Sequence, residues 1–212
     1  KENGFEGLLI LSSLQGAGRK PPTVSGDTMH LNDVETFPSY LKEGAFQAGD
    51  IMVSLRNINT VLIFRESDHK ITHISVGQSV RQHDPDFIDG NTISIFDNNN
   101  ITPKEYGQSR ILIKSFADDR SYTYYIGDEE NPFFTSVLGK HQWLPNGNLL
   151  ITESMKGRAF EIDKNGNIVW EFINLVGNGY VGVVEEAHRL PTKYSRDFFY
   201  EMLQECNSTV SK

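Results

Sequence analysis

A glycine-led strand pattern that recurs along the chain restricts its fold more than any other feature. Four segments consist of a turn glycine and an apolar run: EGLLILS from Glu6, GDIMVSL from Gly49, GNTISIF from Gly90 and GNLLITE from Gly147. The first two intervals between these glycines are nearly equal, at roughly 40 residues each, which is a common length for one blade of a propeller. The pattern therefore predicts a repeated unit of short strands.

The last three glycine-led strands are each followed by a second strand, a polar turn and a third strand. The polar turns fall at residues 66–69, 117–120 and 163–166. Units of three or four short antiparallel strands are typical of β-propeller blades. A β-sandwich is the alternative, although it does not account for the matching unit lengths. We predict an all-β propeller with about four blades in residues 1–193, preceded by further blades that this chain lacks.

Two further segments complete this prediction. The longer interval before Gly147 indicates inserted residues, which we place within 99–108 and 127–138. The only helical pattern begins at Tyr194, so residues 194–212 are predicted to form a short C-terminal helical tail.

Composition excludes several classes of partner. The net charge is −8 and the sequence pI is about 5.2, which argues against broad binding to nucleic acid or to an anionic membrane surface. No apolar run has the length of a membrane span, so we expect no membrane contact from this segment. Cys206 is the only cysteine and cannot form an internal disulfide. The chain starts with Lys and shows no signal peptide, so we expect it to be part of a longer protein.

Three histidines stand before the glycine-led strands, in the segments MHLNDVE, RQHD and GKHQ. They are His30, His83 and His141. His83 and His141 precede their glycines by nearly the same distance, which predicts that they occupy equivalent positions in successive blades. Because equivalent positions of a propeller face one central space, these imidazoles are expected to converge.

Arginines accompany the histidines at Arg56, Arg110 and Arg158. Three imidazoles and several guanidinium groups around one axis predict a pocket for an anion. Arg56 and Arg158 have an equally good interpretation as structural ion pairs. Asp97 and Asn98 either line the pocket or cap the end of their strand by local hydrogen bonds.

Taken together and in order, the motifs HLNDVE, SLRN, QHDP, FDNN, SR and GKHQ resemble the arylsulfotransferase-like family (arylsulfate sulfotransferases). The resemblance covers nearly the whole chain. It implies a six-bladed β-propeller and a periplasmic or membrane-anchored extracytoplasmic location. It also implies transfer of a sulfuryl group from a phenolic sulfate ester to a phenol, through a sulfated histidine and without a nucleotide sulfate donor or any cofactor.

The resemblance also implies roles for individual residues. His30 and His83 match the histidines that bind the sulfuryl and phenol oxygens, and Arg110 matches the active-site arginine. His141 is the predicted nucleophile, with His188 as the other candidate. Besides His188, the predicted substrate-binding residues are Arg56, Gln82, Asn32, Asp97 and Asn98. The sequence lacks the cysteine pair of the family, which places it in a shorter branch.

Alternative interpretations stay open at this stage. The chain is either an enzyme or a non-catalytic propeller that binds a ligand or partner. A zinc site of three histidines is a weaker rival, because the arginines would repel a cation. Asp84, Asp86 and Asp89 resemble a calcium loop only loosely, and a turn is the favoured interpretation. We therefore predict no metal, and the sequence gives no oligomeric state.

Overall fold

The computed structural model describes residues 27–100 and 108–210, and within them the fold is all-β with one α-helix. Three four-stranded antiparallel sheets follow one another along the chain, and each has its strands in sequence order. We name them sheet A, sheet B and sheet C. The glycine-led segment from Glu6 lies outside the described residues.

Sheet A contains the three strands of the repeat unit that begins at Gly49, preceded by one further strand. Its strands are β1 (Leu31–Thr36), β2 (Asp50–Leu55), β3 (Thr60–Arg65) and β4 (Ile71–Val76). A 3-10 turn at Arg56–Ile58 joins β2 to β3 and ends at Asn59 in the left-handed conformation. An asparagine adopts this conformation more readily than most residues do, which allows the tight reversal.

Sheet B has the same plan and is the most deeply buried of the three. Its strands are β5 (His83–Phe87), β6 (Thr92–Asp97), β7 (Arg110–Ser115) and β8 (Ser121–Ile126). Asp84 has a positive φ of 49°, and the pairing of β5 with β6 shifts register between His83 and Asp86. This irregularity changes the direction of the side chains that follow His83.

Sheet C and two smaller elements complete the described chain. The sheet contains β9 (Lys140–Trp143), β10 (Leu149–Glu153), β11 (Arg158–Ile162) and β12 (Ile168–Ile173). A hairpin of β13 (Leu175–Gly177) and β14 (Tyr180–Val181) follows, and the helix α1 spans Arg196–Val210. The predicted C-terminal helix is thus confirmed. No helix among the described residues is long and apolar enough to cross a membrane.

The repeat predicted from the glycines is confirmed in sheets A, B and C. Gly49, Gly90 and Gly147 each stand shortly before the second strand of a sheet. The insertion predicted at 127–138 corresponds to a long loop between β8 and β9 that contains no strand, whereas the loop between β4 and β5 is much shorter. The other predicted insertion lies largely outside the described residues.

The hydrophobic core lies between successive sheets. One cluster joins sheet A to sheet B and includes Met52, Ile93 and Ile95, and a second joins sheet B to sheet C and includes Phe96, Leu149 and Ile151. Alternate side chains of β6 therefore point to opposite neighbours, as the period of a strand requires. A two-sheet sandwich would bury only one face of each sheet, so this arrangement differs from the sandwich alternative.

The first strands of the three sheets lie next to one another, with β5 in contact with both β1 and β9. In the structure β6 is the second strand of sheet B and is buried between its neighbours. The three histidine motifs lie on or beside these adjacent first strands.

Close packing between sheets B and C predicts an unequal cost for two glycine substitutions. A Cβ at Gly139 would lie 2.4 Å from the Phe96 ring, whereas at Gly147 nothing lies within 4 Å; both residues have a positive φ. We expect Gly139→Ala to lower the free energy of unfolding by about 2–4 kcal/mol and Gly147→Ala by about 1–2 kcal/mol. Urea denaturation of both variants measures the difference, and equal losses would show that only backbone strain matters.

Candidate functional site

A cluster of cationic side chains lies where β1, β2 and β5 meet at one end of sheets A and B. We call it the cationic cluster, and it consists of His30, Arg56, Arg81 and His83. The backbone N–H of Arg56 donates to the carbonyl of His30, and the Asn32 amide donates to the carbonyl of Gln82 at 2.8 Å. These contacts bring the first two histidine motifs and SLRN together.

The two arginines of the cluster share one acceptor. Nη1 of Arg81 and Nη1 of Arg56 lie 2.5 Å and 3.2 Å from Oδ1 of Asn57. Within residues 27–100 and 108–210 neither guanidinium forms an ion pair with a carboxylate. Burial and the neighbouring charge of Arg81 lower the pKa of Arg56. Two adjacent guanidinium groups without a carboxylate partner favour an anion between or beside them.

The hydrogen bonds of Asn98 fix the tautomer of His83. The Asn98 amide nitrogen donates to the carbonyls of Thr135 and Leu138, at 2.9 Å and 2.8 Å, so its oxygen faces His83. That oxygen lies 2.6 Å from Nδ1 of His83. Because an acceptor faces Nδ1, this nitrogen carries the hydrogen and Nε2 carries the lone pair. Within the described residues Nε2 makes no hydrogen bond.

His83 is buried, and its surroundings favour the neutral ring. Burial lowers the pKa of His83 below its usual value, and the charge of Arg56 acts in the same direction, while the hydrogen bond to Asn98 opposes them. His30 is more exposed, and its Nδ1 lies 2.5 Å from Oδ2 of Asp27. The cluster thus pairs a neutral, fixed imidazole with a second imidazole that is held by a carboxylate.

The third predicted histidine, His141, lies apart from this cluster. His141 pairs with Ile151 in sheet C, and His83 pairs with Phe96 in sheet B. Phe96 lies two residues further from Gly90 than Ile151 lies from Gly147. The predicted equivalence of His83 and His141 is therefore wrong. The residue of β5 that corresponds to His141 is Asp86, opposite Ser94. His83 and His141 stand at similar distances before their turn glycines, but these distances do not correspond to equivalent strand positions. The reason is that β5 contains an irregular residue and β9 does not.

His141 is enclosed by carboxylates rather than by cations. Its side chain is 0% exposed; Nδ1 lies 3.0 Å from Asp84 and Nε2 lies 3.4 Å from Asp86. Nε2 is also 2.7 Å from the hydroxyl of Ser94. Burial lowers the pKa of His141, but the charges of Asp86 and Asp84 outweigh this effect and raise it. These surroundings do not expose a lone pair for attack on a substrate.

Four carboxylates gather around His141 and Lys140. We call this group the carboxylate cluster: Asp33, Glu35, Asp84 and Asp86. Nζ of Lys140 lies 2.7 Å from Asp84 and 3.2 Å from Asp33. Burial and the neighbouring carboxylates raise the pKa of Glu35 to about 8 and that of Asp86 to about 7. The sequence predicted no such cluster, although LNDVE and HDPD contain all four carboxylates.

The predicted arginine Arg110 has a carboxylate partner. Its Nε lies 2.8 Å from Asp97, and its Nη2 lies 3.4 Å from the carbonyl of Gln78. No contact in the described part of the chain joins Arg110 to His30 or His83. Arg158 likewise pairs with Glu153 and Glu171, at 3.2 Å and 2.5 Å, which agrees with its structural interpretation.

Most predicted substrate-binding side chains are occupied by protein groups. Gln82 is buried and donates to Ser54 and to the Thr60 carbonyl. Asp97 accepts the backbone N–H groups of Val80 and Asn99 besides Arg110. These residues hold the segment that carries Arg81 and His83.

Asn32 and His188 differ from this pattern. The Asn32 amide donates to the Gln82 carbonyl, and its buried oxygen has no hydrogen-bond partner within the described residues. His188 is half-exposed beside Gln142 of sheet C, with 3.1 Å between its Nε2 and the amide nitrogen. No contact among the described residues joins His188 to the cationic cluster.

The sequence interpretation missed one member of the cationic cluster, Arg81, and the residue that both its arginines contact, Asn57. Both stand inside motifs that had been recognised, RQHD and SLRN. Arg81 has a positive φ of 57°, which turns the chain directly before the buried pair Gln82-His83. The signal available in the sequence was that Arg81 stands in the same motif as His83, separated from it only by Gln82.

Comparison with known proteins agrees with the motifs. The profile of the family described as Arylsulfotransferase (ASST) matches residues 12–175. The chain belongs to the arylsulfotransferase (ASST) family. This match includes all three sheets, His30, Arg56, Arg81 and His83. No match was found among curated protein sequences.

Solved structures that resemble this ASST-family chain are distant. They include a functionally unknown protein from Desulfotomaculum acetoxidans (18% identity, TM-score 0.43) and a protein of unknown function from Bacteroides caccae (14%, 0.38). Hydrazine synthase from Kuenenia stuttgartiensis is also similar (11%, 0.43). The matches cover 68%, 58% and 73% of this chain, and 42%, 42% and 38% of those proteins, so the chain spans about 40% of their length.

The raised pKa of Glu35 predicts a pH dependence of stability. A carboxyl group whose folded pKa is raised contributes stability that is complete below its unfolded pKa and is lost as pH rises through the folded pKa, here about 8. Between pH 6 and pH 9 we expect the parent to lose roughly 1–3 kcal/mol more than Glu35→Gln, allowing for solvent screening. Urea denaturation at both pH values measures this loss. The exposed Glu66→Gln is the control, and parallel pH profiles of parent and Glu35→Gln would contradict the prediction.

Proposed function

We propose that this chain transfers a sulfuryl group from a phenolic sulfate ester to a phenol at the cationic cluster, through a sulfated histidine and without a nucleotide sulfate donor. The observation that carries the proposal is a neutral imidazole of fixed tautomer, His83, next to Arg56 and Arg81, which have no carboxylate partner in the described residues. Membership of the arylsulfotransferase family supports aryl substrates.

We propose His83 as the nucleophile in place of His141. A lone pair on a neutral imidazole is a competent nucleophile, and the acceptor at Nδ1 leaves that lone pair on Nε2. In the first step Nε2 of His83 forms a bond to sulfur, and the bond from sulfur to the phenolic oxygen breaks. The phenolate carries away the electron pair. In the second step the oxygen of an acceptor phenol attacks sulfur, and the bond to Nε2 breaks.

The neighbouring residues supply charge and proton transfer in this proposal. The sulfuryl oxygens and the leaving oxygen carry negative charge, which fixed guanidinium groups stabilise with little reorganisation. Arg56 and Arg81 provide that charge. The His30–Asp27 pair protonates the departing phenolate and later accepts the proton of the acceptor phenol, since its Nδ1 is held by the carboxylate and its other nitrogen can exchange the proton.

We further propose that sheets A, B and C are consecutive blades of a six-bladed β-propeller. Their sequential strand order, their face-to-face packing and the adjacency of β1, β5 and β9 support this architecture. In such a propeller the cationic cluster borders the central channel. Blades beyond the described residues would then contribute to the same space. An extracytoplasmic location also stays a prediction.

Intact mass after brief exposure to 4-nitrophenyl sulfate tests the covalent step. We expect the parent and His69→Ala to gain one SO3 group, because His69 lies in an exposed turn, and His83→Ala to gain none. Circular dichroism checks that each variant is folded. Labelling of His83→Ala but not of His30→Ala would transfer the nucleophilic role to His30. A folded parent that is never labelled would favour a propeller that binds ligands without catalysis.

A second measurement separates anion binding from the covalent step. Arg81→Gln removes one guanidinium from the cluster, and a charge-assisted hydrogen bond contributes about 1.5–3 kcal/mol. We therefore expect the KM for 4-nitrophenyl sulfate to rise about 10- to 100-fold, while Arg120→Gln, an exposed arginine paired with Asp118, leaves it unchanged. An unchanged KM in Arg81→Gln would remove Arg81 from the site.

A further inference from the structure

The carboxylate cluster contains three metal-ligand groups that the proposed sulfuryl transfer does not use. They are Asp84 and Asp86 on β5 and His141 on β9. One ligand atom from each lies within 4.8 Å of the other two. Asp84 and Asp86 are two residues apart, and the irregular backbone at Asp84 directs both carboxylates toward the neighbouring sheet.

An unsatisfied nitrogen points to a missing ligand at this position. His141 Nδ1 is buried and makes no hydrogen bond, although Oδ2 of Asp84 lies 3.0 Å away. That oxygen accepts the backbone N–H of His141 at 2.5 Å and is out of line with the ring nitrogen. Buried polar atoms are rarely left without a hydrogen-bond partner, so this nitrogen beside the Asp84 carboxylate needs an explanation.

The charge of the cluster indicates the sign of that ligand. Four carboxylates surround one ammonium group, Lys140, which already contacts Asp33 and Asp84. Within residues 27–100 and 108–210, no lysine or arginine forms an ion pair with Glu35 or Asp86. With all four carboxylates ionised the cluster is short of positive charge, and a cation beside Asp86 would favour the ionised form of its carboxylate.

The cluster is buried but is not closed to solvent. The His141 side chain is 0% exposed, whereas 29% of the Asp86 side chain and 17% of the Asp33 side chain are exposed. An ion can thus reach the ligand atoms from the side of Asp86 without unfolding of the sheets.

We propose that Asp84, Asp86 and His141 bind one divalent transition-metal ion, of which Zn2+ is the best match, and that this ion joins sheet B to sheet C. One imidazole and two carboxylates form a mixed nitrogen and oxygen set, which zinc accepts. Calcium takes ligands that are all oxygen, so the imidazole disfavours it. The site differs from the three-histidine zinc site considered from the sequence, because two of those histidines belong to the cationic cluster.

Zn2+ alone, added to the metal-stripped full chain without any aryl sulfate, tests the proposal. Isothermal titration is expected to give one ion per chain, with affinity at least about tenfold weaker in Asp86→Asn and His141→Gln. Asp89→Asn is the matched control, because Asp89 lies in the exposed turn after β5, where its carboxylate accepts the Asn91 N–H. Its affinity should equal that of the parent. Zn2+ should also raise the thermal midpoint of the parent by several degrees.

Three results would overturn the metal site. They are the absence of binding at millimolar Zn2+, equal binding by Asp86→Asn and the parent, and binding that depends on Asp89 rather than on Asp86. Thermal melts without metal verify that each variant is folded. If His141→Gln does not fold, Asp86→Asn decides the question, since it keeps the size of the side chain and removes only the charge. Sulfuryl labelling is not part of this readout, so the two proposals fail independently.

Discussion

The rest of the structure depends on the packing of sheet B between its two neighbours. Side chains of β6 alternate between sheet A and sheet C, so that Ile93 and Ile95 face one core and Phe96 faces the other. This packing sets β5 beside both β1 and β9. Polar residues that are far apart in sequence meet there because hydrophobic residues on the adjacent strands determine where the sheets lie. The chemistry of the molecule is thus placed by its apolar contacts.

Charges of opposite sign are separated along the first strands. The cationic cluster lies at the start of β5, around His83, and the carboxylate cluster begins one residue later, at Asp84. Asp84 has a positive φ, and its carboxylate contacts Lys140 and His141. In a regular strand Asp84 and Asp86 would both point opposite to His83. The irregularity instead pairs His83 with Phe96 and Asp86 with Ser94, two residues on the same face of β6.

The sequence predicted the architecture of the sheets well, since turn glycines and strand periodicity are local signals. Three strands of each unit, the loop at 127–138 and the C-terminal helix were visible in it, whereas the first strand of each sheet was not. It also predicted that His30, Arg56 and His83 would meet. It failed where the answer depended on strand register: His141 was matched to His83, although its counterpart is Asp86. Distances along the chain do not reveal an irregular residue in β5. Distances along the chain also do not show that Arg110 forms an ion pair with Asp97, because the register of β6 and β7 determines that pairing.

The loop between β8 and β9 has an effect beyond the connection that it makes. Its carbonyls at Thr135 and Leu138 hold the Asn98 amide, and that amide determines which nitrogen of His83 carries the hydrogen. A segment whose length would suggest a dispensable insertion therefore selects the tautomer of a histidine in another strand. A homologue with a shorter loop would keep the sheets but would need another donor to orient Asn98. Without one, the Arg81 carbonyl alone would hold the hydrogen on Nδ1 of His83, and the fold would persist with a less firmly fixed imidazole.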